Sequence, residues 1–470
     1  MCTLDERVFG VPLPSPAGPG EGSRMSFVHL AAKSSYSLRD GVIRPRELAV
    51  GAAQRGMGAI GVADRDGLYG IVRLAQACQV VGLGLIVGAD MALEPTSRPG
   101  WDDHRARTHG RKGPGSGAGW LGDDTARVTL IARTQAGYAN LCRTVTNAHL
   151  ESERGSPHLA WEQLERRPDG MFVLLGDDSP VGRLLDAGRH DAAAAETRRW
   201  MDLVGQSSVL VGVTHHLAPG DDTRARERFT LADRLGLRAV AHQAPRYLSP
   251  SDARVADVVD AVRQQVPVSL RHANRRNSEG YLKTPEQMTR VFAERPDAII
   301  NAAWAAEQCH VELGLGQLRV PDFVTADGLQ ADAELRGRCE AGVRQRYAAP
   351  GAVHRDLLER ELAMIMKLGL APYFLTVAEI VDRIREKGII AACRGSAAGS
   401  LVTYALRISD VDPIAHDLVF ERFANPYRDE LPDIDIDVES ARREDIYRDL
   451  LDRYGDDRVA CVCMVETFKA

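Results

Sequence analysis

"MGAIGVADRDGLYGIVRLAQACQVVGLGLIVGADMAL", Met57 to Leu93, divides into three pieces. "MGAIGVADRDG" is an apolar run ending in a polar loop and reads as a strand; "LYGIVRLAQACQVVG" reads as a helix, and "LGLIVGADMAL" as a second strand. Strand, helix and strand in that order predict a right-handed crossover and a parallel sheet or barrel. The pattern extends both ways. Upstream, "SFVHLAAKSSYS" reads as a strand entering a loop and "RPRELAVGAAQRG" as an amphipathic helix. Downstream, strands are expected in "ARVTLIART", "GMFVLLGD", "SSVLVGVTHH" and "LRAVAHQAPRYLSPSD". Between Pro95 and Asp124 the text turns Gly-rich and partly basic, which predicts a mobile insertion, with phosphate binding as the alternative. Helical text dominates from Asp252 to Lys367, and "GIIAACRGS" and "LPDIDIDV" then form a second set of strands. No fixed-period repeat interrupts this order.

Composition narrows the class. A chain of 470 residues is too long for one ordinary core and predicts two or three domains. Its 44% hydrophobic and 26% charged content with a formal charge of -6 describes a soluble globular protein, so any nucleic-acid surface must be local. The eight cysteines show no C-x-x-C pair or Cys/His cluster, which argues against structural zinc and a disulfide framework and points to a reducing cytoplasm. No uninterrupted apolar run is long enough to span a bilayer. The residues before Met25 are rich in Pro and Gly and lack a signal peptide's apolar region, so a disordered leader is expected, with Met25 as an alternative start.

Two motifs near the C-terminus carry chemistry. In "CRGSAAGSLVTYALRISDVDP", Gly395 and Ser396 follow an apolar strand and precede a helix-forming run. Small residues let a backbone approach a ligand closely, and a helix N-terminus offers unpaired N–H groups with a positive partial charge, a combination that suits phosphate. Arg394, with Arg422 and Arg428 in "FERFANPYRDE", would add charge-assisted contacts to phosphate oxygens. Such a turn is also a common connector, and such arginines also form surface ion pairs. The second motif, "LPDIDIDVES", alternates Asp433, Asp435 and Asp437 with Ile434, Ile436 and Val438. In a strand this gives one apolar face and one face of carboxylates, which either meets water or holds a cation. Together the motifs are what metal-dependent nucleotidyl transfer needs: a cradle for a triphosphate, and carboxylates for two Mg²⁺ ions.

The stretch from Pro372 to Gly455, with "GSAAGS", "ISDVDP", "FERFANP" and "PDIDID" in order, resembles the palm of the bacterial C-family DNA polymerases, the DNA polymerase III alpha subunits. "FVHLAAKSSYSLRDG" and "GVADRDGLYG" resemble the polymerase-and-histidinol-phosphatase (PHP) domain of the same family, and "DVESARREDI" leans toward its error-prone, accessory branch. The resemblance implies an α/β chain: a leader over 1–25, a PHP-type distorted β/α barrel over 26–266, a mainly helical connection over 267–370, and a partial polymerase-beta-like palm over 371–470. It assigns catalysis and Mg²⁺ binding to Asp433 and Asp435. Nucleotide binding falls to Arg394, Gly395, Ser396, Arg422 and Arg428, and Asp437 is structural. The implied partners are primer–template DNA and deoxynucleoside triphosphates, with a sliding clamp and accessory mutagenesis proteins for the full-length protein; no membrane is involved.

Two departures from the family accompany this match. Metal-binding members open the PHP domain with an H-x-H pair, where this chain has Ala31 and Lys33 and keeps only His29 just before them. Arg65 replaces a histidine after Asp64, Ala244 and Arg246 replace an aspartate and a histidine, and Asp90 stands for a glutamate. His215 and His216 remain, yet a metal needs several converging ligands, and Lys33 and Arg65 bring positive charge instead. No PHP metal and no zinc are expected. The second departure is the ending, which falls where the family's thumb begins and omits its third palm carboxylate, so the chain alone is expected to be inactive. Three functions remain: the N-terminal portion of an error-prone DNA polymerase, a metal-dependent PHP phosphoesterase or exonuclease, and a non-catalytic polymerase-associated scaffold.

Overall fold

The computed structural model describes residues 27–94, 125–166, 169–269, 275, 277–317, 322–323, 328, 330–424, 432–455 and 458–462. The expected leader and the insertion over 95–124 lie outside these residues, as does Arg428. The chain divides into two compact units that meet at Leu313 and Gly314.

The first unit is built on a six-stranded sheet whose strands lie side by side in chain order: β1 (Ala59–Arg65), β2 (Gly84–Ala92), β3 (Arg127–Ala132), β4 (Met171–Leu175), β5 (Val209–Val213) and β6 (Arg238–Ala241). Strands β4 and β5 are buried along their whole length, as expected of unbroken apolar runs covered on both faces. The crossover read from Met57 to Leu93 is present: β1 and β2 pair in parallel, from Ala59 with Gly84 to Arg65 with Asp90, around helix Ile71–Val81. The sheet as a whole is mixed, however, because β3 runs antiparallel to both β2 and β4. Between β3 and β4 the chain makes a helix, Gln135–Leu150, and then a further passage in which Leu159 bridges the end of β2 at Leu93. A strand–helix–strand text does not record that extra return.

The edges of the sheet are joined by the N-terminal segment. Ala32 N–H donates to Gly61 O (2.8 Å) and Gly61 N–H to His29 O (2.7 Å), beside β1; on the other side Lys33 N–H donates to Pro245 O (3.0 Å), just past β6. This one irregular strand closes the sheet into the distorted barrel. It lies so close to β1 that a Cβ on Gly61 would come within 2.0 Å of Leu30 O, which only glycine permits. The expected boundary at 266 is not where the units divide. Helix Pro285–Val291, capped reciprocally by Thr284 and Gln287, and helix Pro296–Glu307 bury Met288, Phe292, Ala298, Ile299 and Ala302 against β5 and β6 residues such as Leu210, Val211 and Val240.

The second unit packs helices Ala331–Arg346, Ala352–Lys367 and Ala371–Glu386 around Leu335, Leu362, Phe374, Leu401 and Phe423. A two-stranded antiparallel ribbon, β7 (Ala391–Arg394) and β8 (Asp435–Val438), runs from the Ala391–Val438 pair to the Arg394–Asp435 pair. Helix Arg443–Tyr454 follows it. Among the described residues no single helix is long and apolar enough to cross a membrane.

Candidate functional site

In the second unit the alternation read in "DIDID" sorts its side chains as expected. Ile434 and Ile436 pack against the hydrophobic core, while Asp435 and Asp437 share the face reached by Arg394, whose guanidinium lies 3.2 Å from Asp435 Oδ2 and 3.0 Å from Asp437 Oδ1. Regular pairing begins only at Asp435, so Asp433 occupies the exposed segment just before β8. Tyr373 holds that segment: its hydroxyl accepts the Ile434 N–H at 3.0 Å, between the two aspartates. Burial, with Asp433 and Asp435 nearby, pushes the Tyr373 phenol up.

Strand β7 runs directly into the turn Gly395–Gly399. Gly395 has φ +76°, and a Cβ there would stand 3.5 Å from Asp435 Oδ2, so the glycine both permits the left-handed turn and keeps the backbone beside the carboxylate. Ser396 is half-exposed on this turn. The structure thus brings Arg394, Gly395, Ser396 and Asp435 together. Arg422 is exposed on the turn Phe420–Arg422, which packs against the Gly395 turn. One detail of the expected cradle is corrected. The helix after the turn is a short one, Leu401–Ala405, and its first amides are not free, because Leu401 N–H and Val402 N–H donate to the Glu361 carboxylate at 3.0 and 3.1 Å. What stands beside Asp435 is the turn itself, at Gly395. Sequence reasoning missed Glu361, although its signal is legible: an acid on the apolar stripe Leu358, Leu362, Ile365 of an amphipathic helix.

The second cluster lies in the barrel, where PHP ligands were sought. Lys33 Nζ lies 2.6 Å from Asp90 Oδ2 and 3.2 Å from Asp40 Oδ2. Arg246 reaches Asp40 (2.8 Å) and Asp260 (2.7 Å), Arg263 pairs with Asp260 (2.9 Å), Arg65 stands 3.9 Å from Asp40, and Arg127 binds Asp90 (3.1 Å) and Asp66 (2.8 Å). Burial would raise the Asp40 and Asp90 carboxyls, but the surrounding cations outweigh it and hold both well below the usual carboxylate range. Asp64 is met by neutral donors instead: it accepts from Ser34 N–H, Ser34 Oγ and Ser37 Oγ, each at 2.7 Å, and burial pushes its carboxyl up. Ala31 is buried and Ala244 offers no donor. His215 bonds Asp222 (2.9 Å), and His216 donates to Gln243 O (3.1 Å). His29 donates to Lys283 O (3.0 Å), and burial lowers it and His242 to about 4. This donor set does not fit a divalent ion. The carboxylates are already neutralised by lysine and arginine, and a cation cannot ligate a cation.

These two regions coincide with two known domains. A PHP domain model matches residues 29–216, and a model of the bacterial DNA polymerase III alpha NTPase domain matches residues 333–470. The chain is 34% identical over 462 residues to an error-prone DNA polymerase of Mycolicibacterium paratuberculosis and 35% identical over 455 residues to one of Mycobacterium bovis, covering 97% and 95% of this chain and 40% of each relative. It is also 30% identical to the DNA polymerase III subunit alpha of Xylella fastidiosa, over 95% of this chain and 38% of that protein. The chain therefore spans about 40% of the length of the curated relatives it matches. Both domains lie on one polypeptide, and its similarity to error-prone DNA polymerases and DNA polymerase III alpha subunits runs along nearly its whole length.

Proposed function

We propose that this chain contributes the triphosphate-binding turn and two metal-binding carboxylates to a template-directed DNA polymerase of the error-prone type. Its substrates are primer–template DNA and deoxynucleoside triphosphates, in replication and translesion repair in the cytoplasm, with a sliding clamp and accessory mutagenesis proteins as partners of the whole protein. The observation that carries this reading is the juxtaposition of the Gly395 turn with Asp435, at 3.5 Å from the position of a Cβ to the carboxylate oxygen. Asp433 and Asp435 offer solvent-facing carboxylate oxygens, the donor type that Mg²⁺ takes. Ions held there would lower the pKa of an attacking hydroxyl and offset charge on the phosphates. Arg394, Arg422 and Arg428 supply cations for the triphosphate, and Ser396 a hydroxyl at its edge. The test is Ser396→Ala, made in a polymerase of the relatives' length that carries residues 333–470 of this chain. Nucleotide incorporation should fall about ten-fold, the effect of one charge-assisted contact of ~1.4 kcal/mol, with DNA affinity unchanged. Equal incorporation would leave the motif a structural turn.

The barrel supports a structural reading rather than the phosphoesterase one. Lys33, Arg65 and Arg246 stand where metal-binding members carry ligands, and each turns toward a carboxylate. Purified protein should carry no stoichiometric zinc or manganese, show no phosphatase or 3'-to-5' exonuclease activity, and unfold at the same temperature with or without a chelator. Two or three tightly held ions per chain, by elemental analysis, would refute this.

A further inference from the structure

Glu361 sits on helix Ala352–Lys367 with none of its surface exposed. Among the described residues no ion pair reaches it: the adjacent Arg360 lies 3.7 Å from Glu421, and burial pushes the Glu361 carboxyl up to about 7 against the pull of its three donors and of Arg360. A buried carboxylate without a counter-charge is costly, and it persists only where several donors meet it. Here three do: Ser400 Oγ donates to Oε2 at 2.7 Å, Val402 N–H to the same oxygen at 3.1 Å, and Leu401 N–H to Oε1 at 3.0 Å. Those bonds continue into the turn. Ser400 Oγ accepts Thr403 N–H (3.3 Å), and Thr403 Oγ1, itself buried, bonds Ala397 O (2.7 Å) and Ser400 O (2.9 Å). Ala397 is fully buried, and a Cβ on Gly399 would meet Val419 O at 3.2 Å, so the end of the turn has no slack. The other end is the strand residue Arg394, paired with Asp435 in the ribbon.

We propose that Glu361 is a positioning residue for nucleotide binding, fixing the Gly395–Gly399 turn at the distance from Asp435 that a triphosphate requires. The proposal rests on the polymerase reading of the turn. Glu361 itself never meets the nucleotide; it acts through Ser400, Leu401 and Val402. A glutamine in its place keeps the shape but turns an N–H₂ group toward one of three donors, so the turn loses at least one anchor and gains a repulsion. A residue that merely supported the core would affect folding and leave nucleotide affinity alone.

The test uses Glu361→Gln in two settings. In the 470-residue chain, amide hydrogen exchange at Leu401 and Val402 should quicken at least ten-fold while β4 is unchanged. In a polymerase of the relatives' length carrying residues 333–470, the KM for deoxynucleoside triphosphate should rise about ten-fold, with kcat within about three-fold and DNA affinity unchanged. Ser400→Ala removes one donor without a clash and should raise the same KM about three-fold, which keeps the test decisive if the glutamine variant fails to fold. Faster exchange with an unchanged KM would overturn the proposal, as would an unchanged KM in the Ser400 variant. Loss of activity in Asp435→Asn alongside a normal KM in Glu361→Gln would sink this inference and leave the polymerase reading standing. Full activity in Asp435→Asn would sink the polymerase reading instead.

Discussion

Asp435→Asn, and separately Asp433→Asn, should each lower primer extension at least about a thousand-fold in a polymerase of the relatives' length carrying residues 333–470, equivalent to ~4 kcal/mol of transition-state stabilisation at about 1.36 kcal/mol per decade. An amide keeps the shape of the side chain and its hydrogen-bonding oxygen but removes the charge that would hold a divalent ion. Asp437→Asn is the control. Asp437 shares the face of Asp435, yet its contact is a single exposed bond to Arg394, and losing it should change the rate by less than about three-fold. Steady-state extension assays on the three variants separate the pair from its neighbour. Full activity in either of the first two removes these aspartates from the mechanism.

The second large effect concerns folding. Asp40→Ala should destabilise the barrel by about 3–5 kcal/mol, the range for breaking a buried ion pair by removing one partner. The reason is what remains: Lys33, Arg65, Arg246 and Arg263 all face Asp40, and without it they repel one another in a poorly hydrated space. Asp445→Ala, which removes an exposed pair with Arg442, should be indistinguishable from the parent in urea unfolding. The same centre sets the acid response. The folded protein holds Asp40 and Asp90 well below the unfolded aspartate value of about 3.9, so their stabilisation is full above that pH and drains away as pH falls below it. His29 and His242, lowered to about 4, bind protons in the unfolded chain first, so stability should start to fall near pH 6.5 and keep falling to about pH 4. A urea midpoint that stays flat from pH 7 to 4.5 would contradict the histidine part of this account.

Much of the first unit was legible because its strands are short apolar runs bounded by turns. All six appear where the sequence put them. Direction was not legible: β3 runs against both neighbours, and its connection to β4 makes a further passage at Leu159 that has no helical or strand period of its own. The boundary after the barrel was also hidden, since Met288 and Phe292 look the same in sequence whether their helix packs on β6 or elsewhere. In the second unit the period-two alternation of isoleucine and aspartate told the faces of β8 apart. It could not reveal Tyr373 and Glu361, whose importance comes from what their polar atoms meet across distances of 61 and 40 residues. The charge cluster was half legible. Lys33, Arg65 and Arg246 stood out as misfits for metal ligation, but their partners Asp40 and Asp260 carry no local pattern.

A metal site can be stripped and refilled as the supply of ions changes; Lys33 and the arginines around Asp40 cannot. The barrel therefore keeps its centre when metal is scarce. The arrangement also works as a ratchet. Lys33→His alone would leave Asp40 and Asp90 short of a cation before any ion could be held, and Arg246→His alone would take a cation from Asp40 and leave Asp260 with Arg263 only. Each single replacement of a cation by a metal ligand passes through a less stable protein, so converting this centre to a metal site takes several changes at once.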